Sequence, residues 1–399
     1  MSVPVNRPPI YLLVPISMLC TLVAVVFGRL AYGLVLPVMR ETLGLTYTQA
    51  ANLGTVTALG YLVLLLYAGV FAGRHGGKRS ILLGLSLAAC GFAGLSQFSA
   101  YPLLMLCMTL MGFGTAFTFT PLVSLLGAWY PERRGMVIGF SGSGVGIGIL
   151  LAGSLVPVIT QSGEEASWRM IWAGFAAIAL FVIAMVAIFL RNPPQHEMPV
   201  SMVQGLKTVY RNPHVVRMAM IYGIVGLTYI VQVLFMYSFA LDAGVPAPTA
   251  GRLVAVMGFM SIFSGPIWGW LADRVGHGRA LTFCMCVAIF ATLLPVVWPV
   301  TLAFTVHFVL TGLSVSGLFT SVLAAATSTV KPQHAAMAVS FVTVFFALGQ
   351  LVGPALAGLL IDWQQDFRLT FALSAVLMLV GAVASYGSTA VARTQARAE

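Results

Sequence analysis

One arginine, Arg29, stands well inside the first long apolar stretch of the sequence, between Gly28 and the pair Tyr32-Gly33. A guanidinium at membrane depth is costly and generally faces a cavity or a partner. The sequence pattern places no carboxylate at a similar depth. Because a guanidinium pairs with a carboxylate through two parallel hydrogen bonds, the preferred interpretation is an anchor for a small organic anion. The alternatives are that Arg29 extends to the outer interface or caps backbone carbonyls.

Four further polar side chains inside apolar stretches are candidate substrate contacts. Tyr32 supplies a phenol close to Arg29, and Tyr229 and Gln232 lie three residues apart, which places them near one face of a helix. His307 is the only histidine that we place inside an apolar span, and it could bind substrate or carry a proton. Each of these side chains could equally bond a neighbouring helix, as polar groups in membrane bundles often do.

The chain that carries these residues has 399 residues, of which 59% are hydrophobic and only 8% charged, with a mean hydropathy of +0.98. Soluble domains have about 25% charged residues, so a soluble globular protein is excluded. Since about 20 apolar residues span a bilayer, we predict an all-α polytopic membrane protein with twelve transmembrane helices. The predicted spans lie near 11–38, 48–73, 79–98, 101–127, 135–160, 168–190, 216–241, 249–272, 279–298, 299–327, 335–360 and 368–390.

The net charge of +10 reflects membrane topology and does not indicate a nucleic-acid partner. On the predicted spans, fifteen of the 20 Lys and Arg residues fall on one side and four on the other. Cytoplasmic loops are enriched in Lys and Arg, so we expect a multi-pass protein of the plasma (inner) membrane with both termini in the cytoplasm. The five cysteines all lie in apolar spans, where they fit as small buried hydrophobes. No metal or cofactor is expected.

The two halves of the chain resemble each other at a shift of 200 residues. The residues that recur are Ala50, Leu53, Val56, Gly69, Arg74, Gly76 and Arg79, which return as Ala250, Leu253, Val256, Gly269, Arg274, Gly276 and Arg279. We predict a six-helix half over 1–190, a cytoplasmic linker over 191–217 and a second six-helix half over 218–399. Parallel halves of this kind are typical of secondary transporters that bind substrate where the repeats meet.

The repeated turn resembles a known motif. The run from Gly269 through Asp273-Arg274 to Arg279 is similar to the G-x-x-x-D-R-x-G-x-x-R loop of the major facilitator superfamily, and Gly73 stands where the first copy should have the acid. The hairpin over 112–135 resembles the monocarboxylate and oxalate–formate porters of that superfamily. The resemblance implies the two-half fold of the superfamily, with the first, fourth, seventh and tenth helices lining a cavity.

The repeated turn also predicts a gate. A carboxylate such as Asp273 can accept hydrogen bonds from the free N–H groups at a helix start, and contacts made in only one conformation bias the equilibrium between two. The residues that we assign to conformational gating are Asp273, Arg274, Arg279, Gly69, Arg74 and Arg79. Alternatively, the basic residues only fix the topology. Because Gly73 has no carboxylate, we expect a weaker latch in the first half.

These observations favour a carrier over other classes of protein. An intramembrane enzyme would need a nucleophile with its base, paired aspartates or a metal motif, which the sequence does not supply, and the repeat argues against a channel. We predict a monomeric carrier, secondary active or facilitative, that moves a small organic anion such as a monocarboxylate by alternating access. Exchange, facilitated diffusion and proton cotransport stay open. The alternative function is efflux of hydrophobic or cationic compounds, in which Arg29 would be structural.

Overall fold

The computed structural model describes residues 8–130, 134–160, 166–193, 210–327, 330 and 335–396. Within that part of the chain, 12 helices are long and apolar enough to cross a membrane, which confirms the predicted all-α, twelve-helix fold. The helices are α1 (Ile10–Leu43), α2 (Tyr47–His75), α3 (Gly77–Gln97), α4 (Tyr101–Trp129), α5 (Arg134–Thr160), α6 (Ser167–Phe189), α7 (Pro213–Asp242), α8 (Ala247–Val275), α9 (His277–Val297), α10 (Thr301–Thr327), α11 (Ala335–Gln364) and α12 (Arg368–Ala396).

Local sequence signals explain where several of these helices begin and end. Asn212 caps the start of α7, where its side-chain oxygen accepts hydrogen bonds from the N–H groups of His214 at 3.0 Å and Val215 at 3.4 Å. Pro213 occupies the first helical position, where its missing N–H costs nothing. Gly44 ends α1 in the left-handed conformation with φ 62°, which glycine adopts without a steric penalty.

The chain divides into two compact units. The first comprises Met1–Leu45 with Asn52–Met198, and the second comprises Thr46–Ala51 with Pro199–Glu399. Of the predicted linker over 191–217, residues 194–209 lie outside the described residues. The predicted limits of the halves and the linker therefore stay predictions.

In the first unit, α3 packs against α4 and α6, and α1 packs against α5. The glycine-rich sequence of α5 explains its close approach to α1. A Cβ atom on Gly148 would lie 2.6 Å from a methyl carbon of Val26, and one on Gly144 would collide with the backbone of Met18. Only glycine allows the two helix backbones to come this near.

The second unit repeats these pairings, because α9 packs against α10 and α12, and α7 packs against α11. Gly349 of α11 fits against the backbone of Gly223 and Leu227 in α7, where a Cβ atom would lie 2.7 Å from the Leu227 nitrogen. Small residues thus bring the first and fifth helices of each half together, and the repeat in sequence is also a repeat in packing.

The first turn of α2 belongs to the second unit, where the carboxylate of Asp362 in α11 caps it. This carboxylate accepts hydrogen bonds from the N–H groups of Tyr47 at 3.0 Å and Thr48 at 2.7 Å, and also from the Thr48 hydroxyl. A carboxylate at a helix start satisfies N–H groups that have no partner within the helix. Asp362 therefore stabilises the beginning of α2.

Candidate functional site

The middle of α1 is a π-helix over Leu22–Leu30, nine residues long. The N–H of Ala31 bonds to the carbonyl of Val26, five residues earlier, at 2.8 Å. A π-helical turn holds one more residue than the α-helix would, and such segments are frequent at functional sites. Arg29 is in the last turn of this segment, so the irregular backbone sets the direction in which its side chain leaves the helix.

A threonine of α4 supports the π-helical backbone. The hydroxyl of Thr115 lies 2.7 Å from the carbonyl oxygen of Ala24 and 3.1 Å from that of Met111, and donates to them. The same hydroxyl lies 3.4 Å from the position of a Cβ atom on Gly28. Thr115 therefore provides a partner for a carbonyl of the π-helix, which explains its full burial and makes it structural.

Arg29 is half-buried, and its guanidinium lies over the ring of Tyr61 in α2, with 4.7 Å between the guanidinium carbon and the ring centroid. Tyr61 itself is only 7% exposed, and its hydroxyl faces the side chain of Thr120 in α4. The attraction between a cation and an aromatic face is strongest when both are shielded from water. Arg29, Tyr61 and Thr120 thus form a series of side chains contributed by three helices of the first unit.

The contacts of Tyr32 differ from those of Arg29. It is 2% exposed, follows the π-helix at the start of the next α-helical part of α1, and interacts electrostatically with Tyr101 at the beginning of α4. Tyr101 in turn hydrogen-bonds Asn52 of α2. These contacts favour the alternative that Tyr32 joins neighbouring helices.

On α7, the structure brings two tyrosines into one aromatic cluster with side chains of α10 and α11. The ring of Tyr229 lies edge-on to Phe319 at 5.1 Å, and the ring of Tyr222 stacks on Phe346 at 4.6 Å. Phe319 and Phe346 contact each other at 5.4 Å and close the cluster. Tyr229 is half-buried, whereas Gln232, one turn further along α7, is only 6% exposed.

His307 in α10 is 1% exposed, and both of its ring nitrogens have partners. Nδ1 lies 2.8 Å from the carbonyl oxygen of Ala291 in α9, and Nε2 lies 3.4 Å from the hydroxyl of Thr311. A histidine that joins two adjacent helices in this way is a structural hydrogen-bonding residue. The contacts of His307 therefore favour the structural alternative over substrate binding.

The turn between α2 and α3 in the first unit lies at the surface. Arg74 and Arg79 are exposed, and a Cβ atom on Gly69 would meet no atom within 4 Å. The turn is tied to the end of α6 by Lys78, whose Nζ donates to the carbonyl of Ala187 at 2.6 Å.

Asn192, which follows α6, completes that tie. Its side-chain oxygen accepts the backbone N–H of Lys78 at 2.7 Å, and its amide lies against Gly76. Gly76 has φ +90°, a conformation that other residues rarely adopt. These contacts join the first copy of the repeated turn to the last helix of its own half.

The second copy of the turn, between α8 and α9, has the same backbone and different side-chain contacts. Gly276 has φ +89°, and the guanidinium of Arg274 lies 4.0 Å from the ring centroid of Trp270. Arg279 is half-buried. Asp273 lies in α8, but the position of its side chain is outside the described part of the structure. Its assigned role in gating therefore stays a prediction.

Two features of the site were absent from the sequence-based interpretation. Tyr61 lies in α2, which is not among the first, fourth, seventh and tenth helices that the resemblance to the superfamily marks as lining the cavity. The π-helix has no recognisable sequence signal. A buried cation usually needs an aromatic or acidic neighbour, and this requirement could have directed attention to the tyrosines of adjacent helices. In the described part of the chain, no group of three or more His, Cys, Asp or Glu residues could hold a metal ion.

Twelve membrane-spanning helices and a repeated turn with the same glycine conformation in each copy define a transporter of the major facilitator type. The chain belongs to the family described as uncharacterised MFS-type transporter YbfB, whose model matches residues 21–386. The resemblance to the major facilitator superfamily is thereby confirmed, and the protein is a multi-pass membrane transporter and not an enzyme.

The similar proteins include several carriers named for anions. The chain is 28% identical to monocarboxylate transporter 11 of Homo sapiens over 77% of this chain and 68% of the relative. It is 25% identical to the probable nitrate/nitrite antiporter NarK1 of Thermus thermophilus over 66% of this chain and 61% of the relative. It is 20% identical to the oxalate:formate antiporter of Oxalobacter formigenes over 68% and 65%. Efflux of hydrophobic or cationic compounds gains no support from these relatives.

Solved structures share the fold at low sequence identity. A mutant of the nucleoside transporter NupG has a TM-score of 0.81 and 14% identity, with 94% of this chain and 99% of that chain covered. A bacterial homologue of the human lysosomal transporter Spinster, in an inward-facing and unoccupied conformation, has a TM-score of 0.78 and 16% identity, over 94% and 96% of the two chains. These likenesses establish the fold of the chain.

Proposed function

We propose that the protein carries a small organic anion, of the monocarboxylate type, across the plasma membrane by alternating access, with Arg29 as the charge anchor. The observation that carries this proposal is the position of Arg29. Its guanidinium is half-buried within a membrane-spanning helix, on an irregular backbone segment. The attraction between this cation and a charged substrate is stronger there than it would be in water. Intramembrane charges generally mark substrate or ion pathways.

The chemistry of the guanidinium selects the substrate class. Its planar array of N–H donors matches a carboxylate, which it can bind through two parallel hydrogen bonds. The guanidinium carbon lies 4.7 Å from the ring centroid of Tyr61, which is a cation–π contact, and a guanidinium carries five N–H donors in all. The names of similar proteins support the same class, since monocarboxylate, oxalate, formate and nitrate are all anions.

Among the other candidates, the half-buried Tyr229 and its neighbour Gln232 are the proposed hydrogen-bonding contacts on α7. The contacts of Tyr32 and His307 fit packing roles better, so we give them no part in substrate binding. Asp273 and the arginines of the two turns keep their proposed role in gating.

We further propose a monomer with both termini in the cytoplasm, on the basis of the distribution of Lys and Arg in the sequence. Labelling of single-cysteine variants with a membrane-impermeant maleimide tests the orientation. A cysteine near Arg191 should react only after the cell membrane is opened, and a reaction in intact cells would reverse the proposed topology.

The decisive experiment measures binding of small carboxylates to purified protein. Acetate, lactate, pyruvate, formate and oxalate are titrated while thermal unfolding is followed. A ligand present at 100 times its dissociation constant adds about 2.7 kcal/mol to the free energy of unfolding. We expect at least one acid to stabilise the wild type, and Arg29→Ala to lose that stabilisation while it keeps its own fold.

Two variants control this experiment. Arg252→Ala removes the same side chain from the exposed start of α8, where its Nε donates to the carbonyl of Pro248 at 3.3 Å, so its response to the acids should match the wild type. Arg29→Lys retains the charge but loses the paired donors, and should bind more weakly than wild type and better than Arg29→Ala. If no acid stabilises the wild type, or if Arg29→Ala responds fully, the proposal is wrong.

A further inference from the structure

We propose that Tyr61 is a positioning residue for Arg29 and that Thr120 fixes the ring of Tyr61, so that α1, α2 and α4 form one preorganised anion-binding unit. This inference rests on the proposed function of Arg29 and adds two residues to that site. Its structural basis is the contact series from the Arg29 guanidinium to the Tyr61 ring and from the Tyr61 hydroxyl to Thr120.

The Arg29 side chain needs support if it is to bind an anion tightly. A long, flexible arginine loses conformational freedom when it is held in one geometry, and that loss weakens binding unless it has already occurred in the free protein. The ring of Tyr61, whose centroid lies 4.7 Å from the guanidinium carbon, provides a fixed surface that holds the cation in place. The Arg29 guanidinium is then already oriented before the ligand binds.

Tyr61 is itself held firmly. Its ring is 7% exposed, and the preceding residue, Gly60, lies at a close contact between α2 and α4. A Cβ atom on Gly60 would stand 2.7 Å from the carbonyl oxygen of Thr109, so the two backbones nearly touch at this level. The Tyr61 hydroxyl also faces the side chain of Thr120, which gives a second approach between the same helices.

The difference in exposure shows which member of the pair meets a ligand. Arg29 keeps part of its surface accessible, whereas Tyr61 has almost none. A substrate that reached the pair would therefore contact the guanidinium, and Tyr61 would act through Arg29.

A double-mutant cycle tests the inference with lactate or, if lactate does not bind, with whichever of the five titrated acids stabilises the wild type most. The variants are Tyr61→Leu, Arg29→Ala and the double substitution, and the measured quantity is the dissociation constant of that acid. Tyr61→Leu should weaken binding roughly tenfold, because a shielded cation–π contact is lost. In the Arg29→Ala background the same substitution should change the residual affinity by less than about twofold.

Ring-retaining variants separate positioning from packing. Tyr61→Phe and Thr120→Val both remove the polar contact between these two side chains but keep the ring, so each should weaken binding by about two- to threefold, and the double variant by no more than either alone. These two variants also test the inference if Tyr61→Leu fails to fold. A purely structural role for Tyr61 would lower thermal stability in every variant without coupling to Arg29.

The outcomes distinguish this inference from the proposed function. If Arg29→Ala abolishes acid binding while the Tyr61 and Thr120 variants bind like wild type, or if the losses simply add, Tyr61 does not position Arg29 and the anion site stands without it. If no acid binds the wild type, or if Arg29→Ala binds normally, the proposed function fails and the inference fails with it.

Discussion

The two copies of the repeated turn have the same backbone but are held by different side chains. Gly76 has φ 90° and ψ 145°, and Gly276 has φ 89° and ψ 146°. The N–H of each glycine bonds to the carbonyl four residues earlier, at 2.8 Å and 2.9 Å. The main chain therefore makes nearly the same turn in both units.

The side-chain ties differ in chemistry but reach equivalent helices. In the first unit, Lys78 and Asn192 join the turn to the end of α6. In the second unit, the hydroxyl of Ser385 in α12 donates to the carbonyl of Gly278 at 3.1 Å. Each turn is thus attached to the last helix of its own half, by a charged amine and an amide in one copy and by a hydroxyl in the other. The two copies of the turn share their backbone geometry more closely than the side-chain groups that bond to it.

The largest effect should come from placing a side chain on the two turn glycines. Gly276→Ala should cost about 1–3 kcal/mol, because its φ is almost restricted to glycine, while a Cβ atom there meets nothing within 4 Å. Gly76→Ala should cost about 1 kcal/mol more, because the new methyl group would lie 2.9 Å from Cγ of Asn192 and displace the cap on Lys78. Thermal unfolding of both purified variants measures the difference.

Asn192→Ala isolates the side-chain part of that difference. Without the Asn192 side chain, the N–H of Lys78 loses its cap, and this loss should lower the free energy of unfolding by about 1 kcal/mol. In the Gly76→Ala background, Asn192→Ala should cost much less, since the cap is already displaced. Equal costs in the two backgrounds would show that the methyl group of Gly76→Ala does not displace the cap.

Ser385→Ala is the corresponding change in the second unit and should have a smaller effect. A neutral hydrogen bond contributes about 0.5–1.5 kcal/mol, and the carbonyl of Gly278 also accepts from the hydroxyl of Thr282 at 3.0 Å. We expect a loss of about 0.5 kcal/mol. A loss larger than that of Asn192→Ala would mean that the second turn depends on its tie more than the first.

Gly73→Asp gives the first turn the acid that the second turn has, and should affect stability least. A Cβ atom on Gly73 would meet nothing within 4 Å, so the substitution should change the free energy of unfolding by less than about 0.5 kcal/mol. If the carboxylate strengthens a latch, the variant should favour the outward-open state or lose transport. Gly73→Asn is the control for size, and transport kinetics identical to wild type would exclude the latch.

The number and order of the helices could be predicted from the sequence because the apolar runs are long and the polar turns are short. The ends could not, because helices continue beyond the apolar stretch. The span predicted near 11–38 belongs to α1, which runs over Ile10–Leu43, and the one near 249–272 belongs to α8, over Ala247–Val275. Hydropathy locates the part of a helix within the lipid, whereas backbone hydrogen bonds decide its length.

The candidate site was only partly predictable for a similar reason. The depth of Arg29 follows from its place within an apolar run. The direction of its side chain depends on the π-helix, which has no recognisable sequence signal. Tyr61 meets Arg29 only because α1 and α2 bring their side chains together. His307 is a different case, because a rare intramembrane histidine suggests a functional role from the sequence, whereas in the structure both ring nitrogens have partners on neighbouring residues, and its role stays a prediction.

The π-helix of α1 has a consequence for how this helix tolerates insertions and deletions. One residue more than an α-helix needs is accommodated between Leu22 and Leu30. Deletion of a single codon there could restore regular α-helical bonding, which would change the directions of the side chains within the segment while the residues beyond it keep roughly their present orientation, because the segment already accommodates the extra residue. Arg29 would then leave the helix in another direction although no side chain had been replaced. A one-residue length change is thus a genetic route by which relatives with the same helices can acquire or lose a charge in this position.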